Sequence, residues 1–261
     1  VCLILVAWQV RPDYPLIVAA NRDEFFARPT RAARFWPDAP DVFAGRDLEA
    51  GGSWLGISRS GRFAALTNYR QGGKPDGDAP SRGALVTDFL VGEADASDYG
   101  AALTSRAELY RGFNLLVSDG RQLAYCSNRG AGSFCLAPGI YGLSNHLLDT
   151  PWPKLSAAKS AFSAALGGLP ADEPFFELLA DREIVADPNL PDTGVGREWE
   201  RILSAVFVAS PHYGTRASTL LTVHRSGGVR FIERSFGPAG APLGDVSTSF
   251  TTQVSPIRTG V

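Results

Sequence analysis

Cysteine, histidine and net charge are all scarce in this sequence, and each shortage closes off a class of function. The 261 residues include three cysteines and three histidines, and 25 basic against 27 acidic side chains leave a formal charge of −2. With no basic stripe to break that balance, there is no electrostatic basis for binding nucleic acid or an anionic membrane. No apolar run approaches the ~20 residues of a membrane-spanning helix. The apolar opening over residues 1–10 lacks a basic leader and a small-residue cleavage site, so it reads as a strand rather than a secretory signal. Cys2, Cys126 and Cys135 are odd in number and have no metal-type spacing, which suits a reducing compartment, and a cytoplasmic protein is expected. No Cys-x-x-Cys-His or His-Glu-x-x-His motif occurs, and the Gly51-Gly52 pair is no phosphate loop.

What the chain does have is 44% hydrophobic and 20% charged residues, enough to bury a substantial core without staples. Residues 2–8 and 15–20 are nearly continuous apolar runs separated by Arg11, Pro12 and Asp13, the pattern of a hairpin buried on both faces. Strands at 53–58 and 62–67, joined across Ser60-Gly61, complete an expected four-strand meander. The loop 71–80, rich in glycine and proline, precedes helices expected at 81–90 and 97–109. Strands return at 113–118, 122–127 and 133–137, followed by helices at 152–166, 174–179 and 198–203 and strands at 218–224 and 229–233. This order does not alternate as βαβ units do, and it predicts an α+β fold with antiparallel sheets. Without a repeat or a long polar linker, residues 1–261 read as one domain, with an irregular tail expected over 235–261.

Cys2 is the sharpest chemical feature. As an N-terminal residue it would have its own α-amine as general base, because the unperturbed amine (~7.7–8.0) and thiol (~8.5) both titrate close to neutrality. Cysteine is equally a small, easily buried hydrophobe. A retained Val1 would acylate the amine and remove the base; initiation with methionine at a valine codon would account for Val1, and the nucleophile reading requires its removal. The run Asn21-Arg22-Asp23-Glu24 ends an apolar strand, where an adjacent Arg and Asp can hold each other and orient Cys2 across the hairpin, or form a solvated turn. His146 ranks below the α-amine as a base, His224 lies in an apolar strand, and Cys126 and Cys135 read as strand residues.

These residues sit within a wider pattern. Ala20–Phe25 with Arg28-Pro29, then Gly51–Gly56, Leu66–Arg70, Gly112–Leu116, Gly142–Asn145 and Tyr213–Arg216 follow in order over most of the chain. Together they resemble the NRDE proteins, also called the transport and Golgi organisation protein 2 family. More remotely, the pattern is similar to N-terminal-nucleophile hydrolases of the choloylglycine and penicillin V acylase type, which implies a four-layered αββα sandwich. The resemblance implies Cys2 as nucleophile, Arg22 and Asp23 as groups that position its thiol and amine, Asn68 and Asn145 as oxyanion or amine-orienting groups, and Arg216 as a late arginine of the site. Read by themselves, Asn68 suits a strand-end turn, Asn145 suits a cap before the next helix, and Asn114 is left open.

Two functions follow from the resemblance. One is an amide or thioester acyl hydrolase or transferase that works through acyl-Cys2 on a small-molecule substrate and requires no cofactor. The other is a haem or acyl-CoA/lipid binding and trafficking protein that keeps the fold without the chemistry. A purely structural role gives no reason for polar side chains at the mouth of a buried strand.

Overall fold

The first hairpin is apolar without a break because both of its faces are buried. In β1 (Cys2–Arg11) the even residues Ile4, Val6 and Trp8 enter one core while Leu3, Leu5 and Ala7 enter another. In β2 (Tyr14–Phe25) Leu16, Val18 and Ala20 divide from Ile17 and Ala19 in the same way. The computed structural model describes residues 2–72 and 79–253. Val1, the 73–78 part of the 71–80 loop and the 254–261 end of the expected tail lie outside the described residues.

The chain continues through β3 (Thr30–Trp36), β4 (Ala39–Asp47), β5 (Leu55–Ser58) and β6 (Phe63–Asn68) to helices α1 (Gly83–Val91) and α2 (Ala96–Thr104). Next come β7 (Phe113–Ser118), β8 (Leu123–Ser127), β9 (Gly132–Cys135) and β10 (Gly139–Leu143), then α3 (Pro153–Ala165), α4 (Glu173–Leu179) and α5 (Arg197–Ile202). The last strands are β11 (Tyr213–Val223), β12 (Gly228–Phe236) and β13 (Pro242–Thr251). One antiparallel sheet has six strands in the order β10-β1-β2-β11-β12-β13, and the other has seven in the order β3 to β9.

The sheets pack face to face around Ile4, Val18, Phe43, Phe63, Leu116 and Phe231, with the rings of Phe43 and Phe231 edge to face at 5.0 Å. Helices α3 and α4 cover the outer face of the six-stranded sheet through Phe162, Phe175 and Leu179. Helices α1 and α2 cover the seven-stranded sheet through Leu85, Phe89 and Leu103. The result is an α+β fold in which two antiparallel sheets lie between two layers of helices. Each large apolar side chain removed from water in these three cores contributes ~1.5–3 kcal/mol.

The structure corrects three expectations. The first four strands are not one meander, because β3 and β4 intervene and β5 and β6 belong to the other sheet. β3 escaped notice because it is an edge strand that carries Arg31 and Arg34 and has two register shifts against β4, which hide its alternation. β10 was missed because it is short and contains two glycines. The expected irregular tail contains the end of β12 and the ten-residue β13, which pairs with β12 from Gly228↔Thr251 to Phe236↔Pro242. Only Val246 and Phe250 of β13 pack on the core, so its order comes from the ladder and its polar composition comes from its place at the sheet edge.

Candidate active site

Antiparallel pairing of β1 with β2 sets Cys2 directly opposite Arg22 and Leu3 opposite Asn21. The start of β1 and the end of β2 therefore meet at one end of the sandwich. A cleft of about 310 Å³ opens there between the sheets, lined by Cys2, Arg22, Asp23 and Glu24 on one side and by Trp54, Asn68, Arg82 and Arg111 on the other. Of the residues expected at the site, Cys2, Arg22, Asp23 and Asn68 line the cleft, Asn145 lies directly behind Cys2, and Arg216 does not reach the lining.

The Cys2 main-chain nitrogen donates to Asn145 Oδ1 at 3.0 Å, and Asn145 Nδ2 donates to the Asn68 carbonyl at 2.7 Å. With both ends of its amide engaged and the residue buried, Asn145 orients the Cys2 nitrogen and ties the two sheets together. Ser144 adds a hydrogen bond from Oγ to the Cys2 carbonyl at 3.1 Å. Cys2 is half-buried at the cleft floor, and burial pushes its thiol above the ordinary value. The charge of Asp23 pushes the same way, while a hydrogen bond from the Asp23 backbone and the charge of Arg22 pull the thiol down.

Side chains alternate along the 21–24 run, and that alternation separates their tasks. Asn21 is 1% exposed; its Nδ2 donates to the Leu179 and Val206 carbonyls, and its Oδ1 accepts from Ser218 at 2.6 Å, so it clamps the helical layer to the sheet. Asp23 Oδ1 accepts from the Thr215 hydroxyl at 2.7 Å, and Thr215 Oγ1 accepts in turn from the Val208 N–H at 2.9 Å. Burial raises the Asp23 carboxyl, opposed by the charges of Lys154 and Arg70 and by the Thr215 hydrogen bond. Arg22 stacks on Trp54, 4.2 Å from the ring centroid, donates to Thr30 Oγ1 at 3.2 Å and lies 4.0 Å from Glu24. Glycine makes this stack fit: a Cβ at Gly45 would sit 2.2 Å from the Trp54 ring, and one at Gly52 would sit 2.4 Å from the backbone at the start of α1.

The remaining residues hold the frame. Asn114 is fully engaged, donating to Thr67 Oγ1 and the His146 carbonyl and accepting from the Tyr125 hydroxyl, which answers the question its sequence left open. Arg216 is the bulge residue where the pairing of β11 with β2 shifts between Thr215 and Ala217; its Nη1 donates to the carbonyls of Phe25, Phe26 and Arg28. It fixes the turn after β2. The His146 ring bonds Thr150 Oγ1 and packs between Tyr69 and Trp152, and burial lowers its pKa. Asn68 lines the cleft, and its side-chain amide has no hydrogen-bond partner among the described residues.

Sequence reasoning missed the groups behind Asp23. Lys154, at the start of α3, is 6% exposed and donates to the Leu203 carbonyl at 2.7 Å and the Ala205 carbonyl at 3.5 Å. Arg70 and Glu200 form a buried ion pair at 2.7 Å, and Arg70 Nε and Nη2 have no partner among the described residues. The signal available was a charged residue at apolar spacing in a helix predicted to be covered, which is costly unless compensated. Among the described residues no group of three His, Cys, Asp or Glu side chains is placed to hold a metal, and no helix is long and apolar enough to cross a membrane.

A family model described as TANGO2, Transport and Golgi organisation 2, matches residues 1–238. The Bos taurus Transport and Golgi organization protein 2 homolog is 44% identical over 259 residues, covering 90% of this chain and 92% of that protein. The Homo sapiens homolog is 41% identical over 257 residues with the same coverage. Among solved structures, the C2A mutant of a conjugated bile acid hydrolase from Clostridium perfringens aligns with a TM-score of 0.51 and 8% identity, covering 96% of this chain and 92% of that one. At that identity the likeness concerns the fold alone, which is N-terminal-nucleophile-hydrolase-like.

Proposed function

The chain belongs to the Transport and Golgi organisation 2 family, and on that premise we propose that its cleft forms an acyl-Cys2 intermediate from a small-molecule amide or thioester. The observation that carries this reading is the hydrogen bond from the Cys2 nitrogen to Asn145 Oδ1, which fixes the nitrogen and thiol of one residue beside Asp23 and Asn68. Once Cys2 is N-terminal, that nitrogen is an α-amine and takes the thiol proton. Sγ then adds to the substrate carbonyl carbon as the π pair moves onto oxygen, and the Asn68 amide stabilises the oxyanion. Collapse breaks the C–N or C–S bond, and the leaving group takes the proton back from the ammonium. Water or a second nucleophile releases the acyl group. In this scheme the Asp23 carboxylate favours the ammonium form, Arg22 lowers the thiol, and no cofactor is needed.

A second reading, a cytoplasmic carrier of haem or acyl-CoA that fills the cleft without turnover, is favoured by the upward push of burial on the Cys2 thiol. One experiment separates the two. Intact mass of the purified protein reports whether residue 1 is retained, and incubation with acetyl-CoA or 4-nitrophenyl acetate reports acylation and leaving-group release. The nucleophile reading expects a free Cys2, one acyl group on it and release that Cys2→Ala abolishes. Stoichiometric binding with Cys2 unacylated and no release overturns it and leaves the carrier.

A further inference from the structure

Four ionisable side chains in and behind the wall that carries Cys2 are each less than a tenth exposed: Asp23 at the cleft, and Lys154, Arg70 and Glu200 behind it. Two are acids and two are bases. Arg70 and Glu200 neutralise each other directly at 2.7 Å. The Lys154 ammonium has no carboxylate within ion-pair distance among the described residues; its recorded acceptors are the carbonyls of Leu203 and Ala205. A cation so enclosed is expensive unless a nearby anion compensates it.

The segment that holds Lys154 leads straight to Asp23. Residues 203–208 form a buried strap: Leu203 and Ala205 accept from the Lys154 ammonium, Val206 accepts from Asn21, and Val208 donates to Thr215 Oγ1, which donates to Asp23 Oδ1. Lys154 and Asp23 also act on each other's charge. Burial lowers Lys154 to about 8, and the largest opposing influence is Asp23.

We propose that Lys154 is a positioning residue of the Cys2 site: its ammonium, anchored in the 203–208 strap, holds Asp23 as the carboxylate behind Cys2. The inference concerns the charge of Asp23 and rests on the nucleophile reading only for its catalytic consequence. The other groups that bear on Asp23 are the N-terminal amine, whose charge is the largest, Arg70 after β6, Cys2 on β1 and Tyr213 with Thr215 on β11, while Arg22, Glu24 and Glu200 act in turn on Cys2, Tyr213 and Lys154.

The test is a carboxyl 13C NMR titration of Asp23 in the full chain, its resonance assigned by loss in Asp23→Asn. In Lys154→Met the Asp23 midpoint rises by about one unit or more, a tenfold gain in proton affinity, and in Lys154→Arg it stays near the wild-type value. An unmoved midpoint in folded Lys154→Met overturns the proposal. Should Lys154→Met not fold, the wild type decides: the Asp23 resonance must show a second inflection where the Lys154 13Cε resonance titrates, and its absence is equally fatal. Rates of Cys2 acylation by 4-nitrophenyl acetate against pH are read in parallel, and their acid limb moves up with the Asp23 midpoint in Lys154→Met. A moved Asp23 midpoint in a protein whose wild type never acylates sinks the nucleophile reading and leaves Lys154 as the residue that sets the charge of Asp23.

Discussion

The two walls of the cleft differ in how their polar groups are engaged. On the wall from the six-stranded sheet, Asn145 has both ends of its amide bonded, Asp23 is held by Thr215, and charged groups lie behind them out of water. On the facing wall the Asn68 side-chain amide has no hydrogen-bond partner among the described residues, and Arg82 donates to the Gly112 carbonyl with Arg111 close enough to depress it, after desolvation, to about 10. One wall is preorganised and rigid, as a nucleophile needs; the other keeps donors available, as a bound carbonyl or anion needs.

That contrast can be broken at several points. The largest effect is expected at Cys2: Cys2→Ala abolishes acylation by 4-nitrophenyl acetate, as read by mass spectrometry, and leaves the thermal unfolding midpoint nearly unchanged because the side chain is small and half-buried. On the same wall Glu200→Gln leaves the Arg70 guanidinium buried without its counter-charge and lowers stability by about 3–5 kcal/mol in urea denaturation. Across the cleft Asn68→Ala should spare stability and slow acylation about 10²–10³-fold, since a single oxyanion donor is removed. Equal losses of stability in the Asn68 and Glu200 variants would erase the distinction between the walls.

The smallest effect lies away from the cleft and depends on pH. Glu233 on β12 is 1% exposed and accepts from the Ala33 N–H of β3 at 2.7 Å, where the ladder with β4 is irregular. Burial raises its carboxyl to about 7, against that hydrogen bond and the charge of Arg22. For an acid raised in the folded state the native protein binds the extra proton, so stability is complete below the ordinary value of 4.5 and is lost as pH rises towards 7. Relative to Glu233→Gln, the wild type therefore loses up to about 3 kcal/mol over that window, measured by urea denaturation at each pH. A flat difference curve would show that the two sheets are not joined through an ionising Glu233.

Much of this architecture was legible in the chain. Unbroken apolar runs marked β1 and β2 as strands buried on both faces, and the non-alternating order of elements pointed to antiparallel sheets. The signals failed where order is imposed from outside the element. β3 and β13 are edge strands whose outward residues are charged, or Ser and Thr, so their pairing comes from a neighbour's ladder rather than from their own pattern. Arg216 shows a similar limit at the site, because a one-residue bulge turned a cleft candidate into the clamp of a turn.

By itself the sequence determined which local groups would share a strand end: a two-residue polar turn between apolar runs brings the start of β1 beside the end of β2, because both strands have faces that must stay buried. The one-residue shift between Trp8 and Arg11, which sets Cys2 opposite Arg22 rather than Asp23, belongs to the folded ladder. Only the tertiary structure decided what those groups face. Asn145, Lys154, Arg70 and Thr215 lie 49 to 192 residues away from their partners, as in the Cys2–Asn145 bond (143 apart), the Asp23–Thr215 bond (192), the Arg70–Glu200 pair (130) and the Lys154–Leu203 bond (49). Such pairings carry no local signature. They exist because stacking two sheets between helical layers encloses polar side chains whose desolvation is tolerable only when each finds a distant partner.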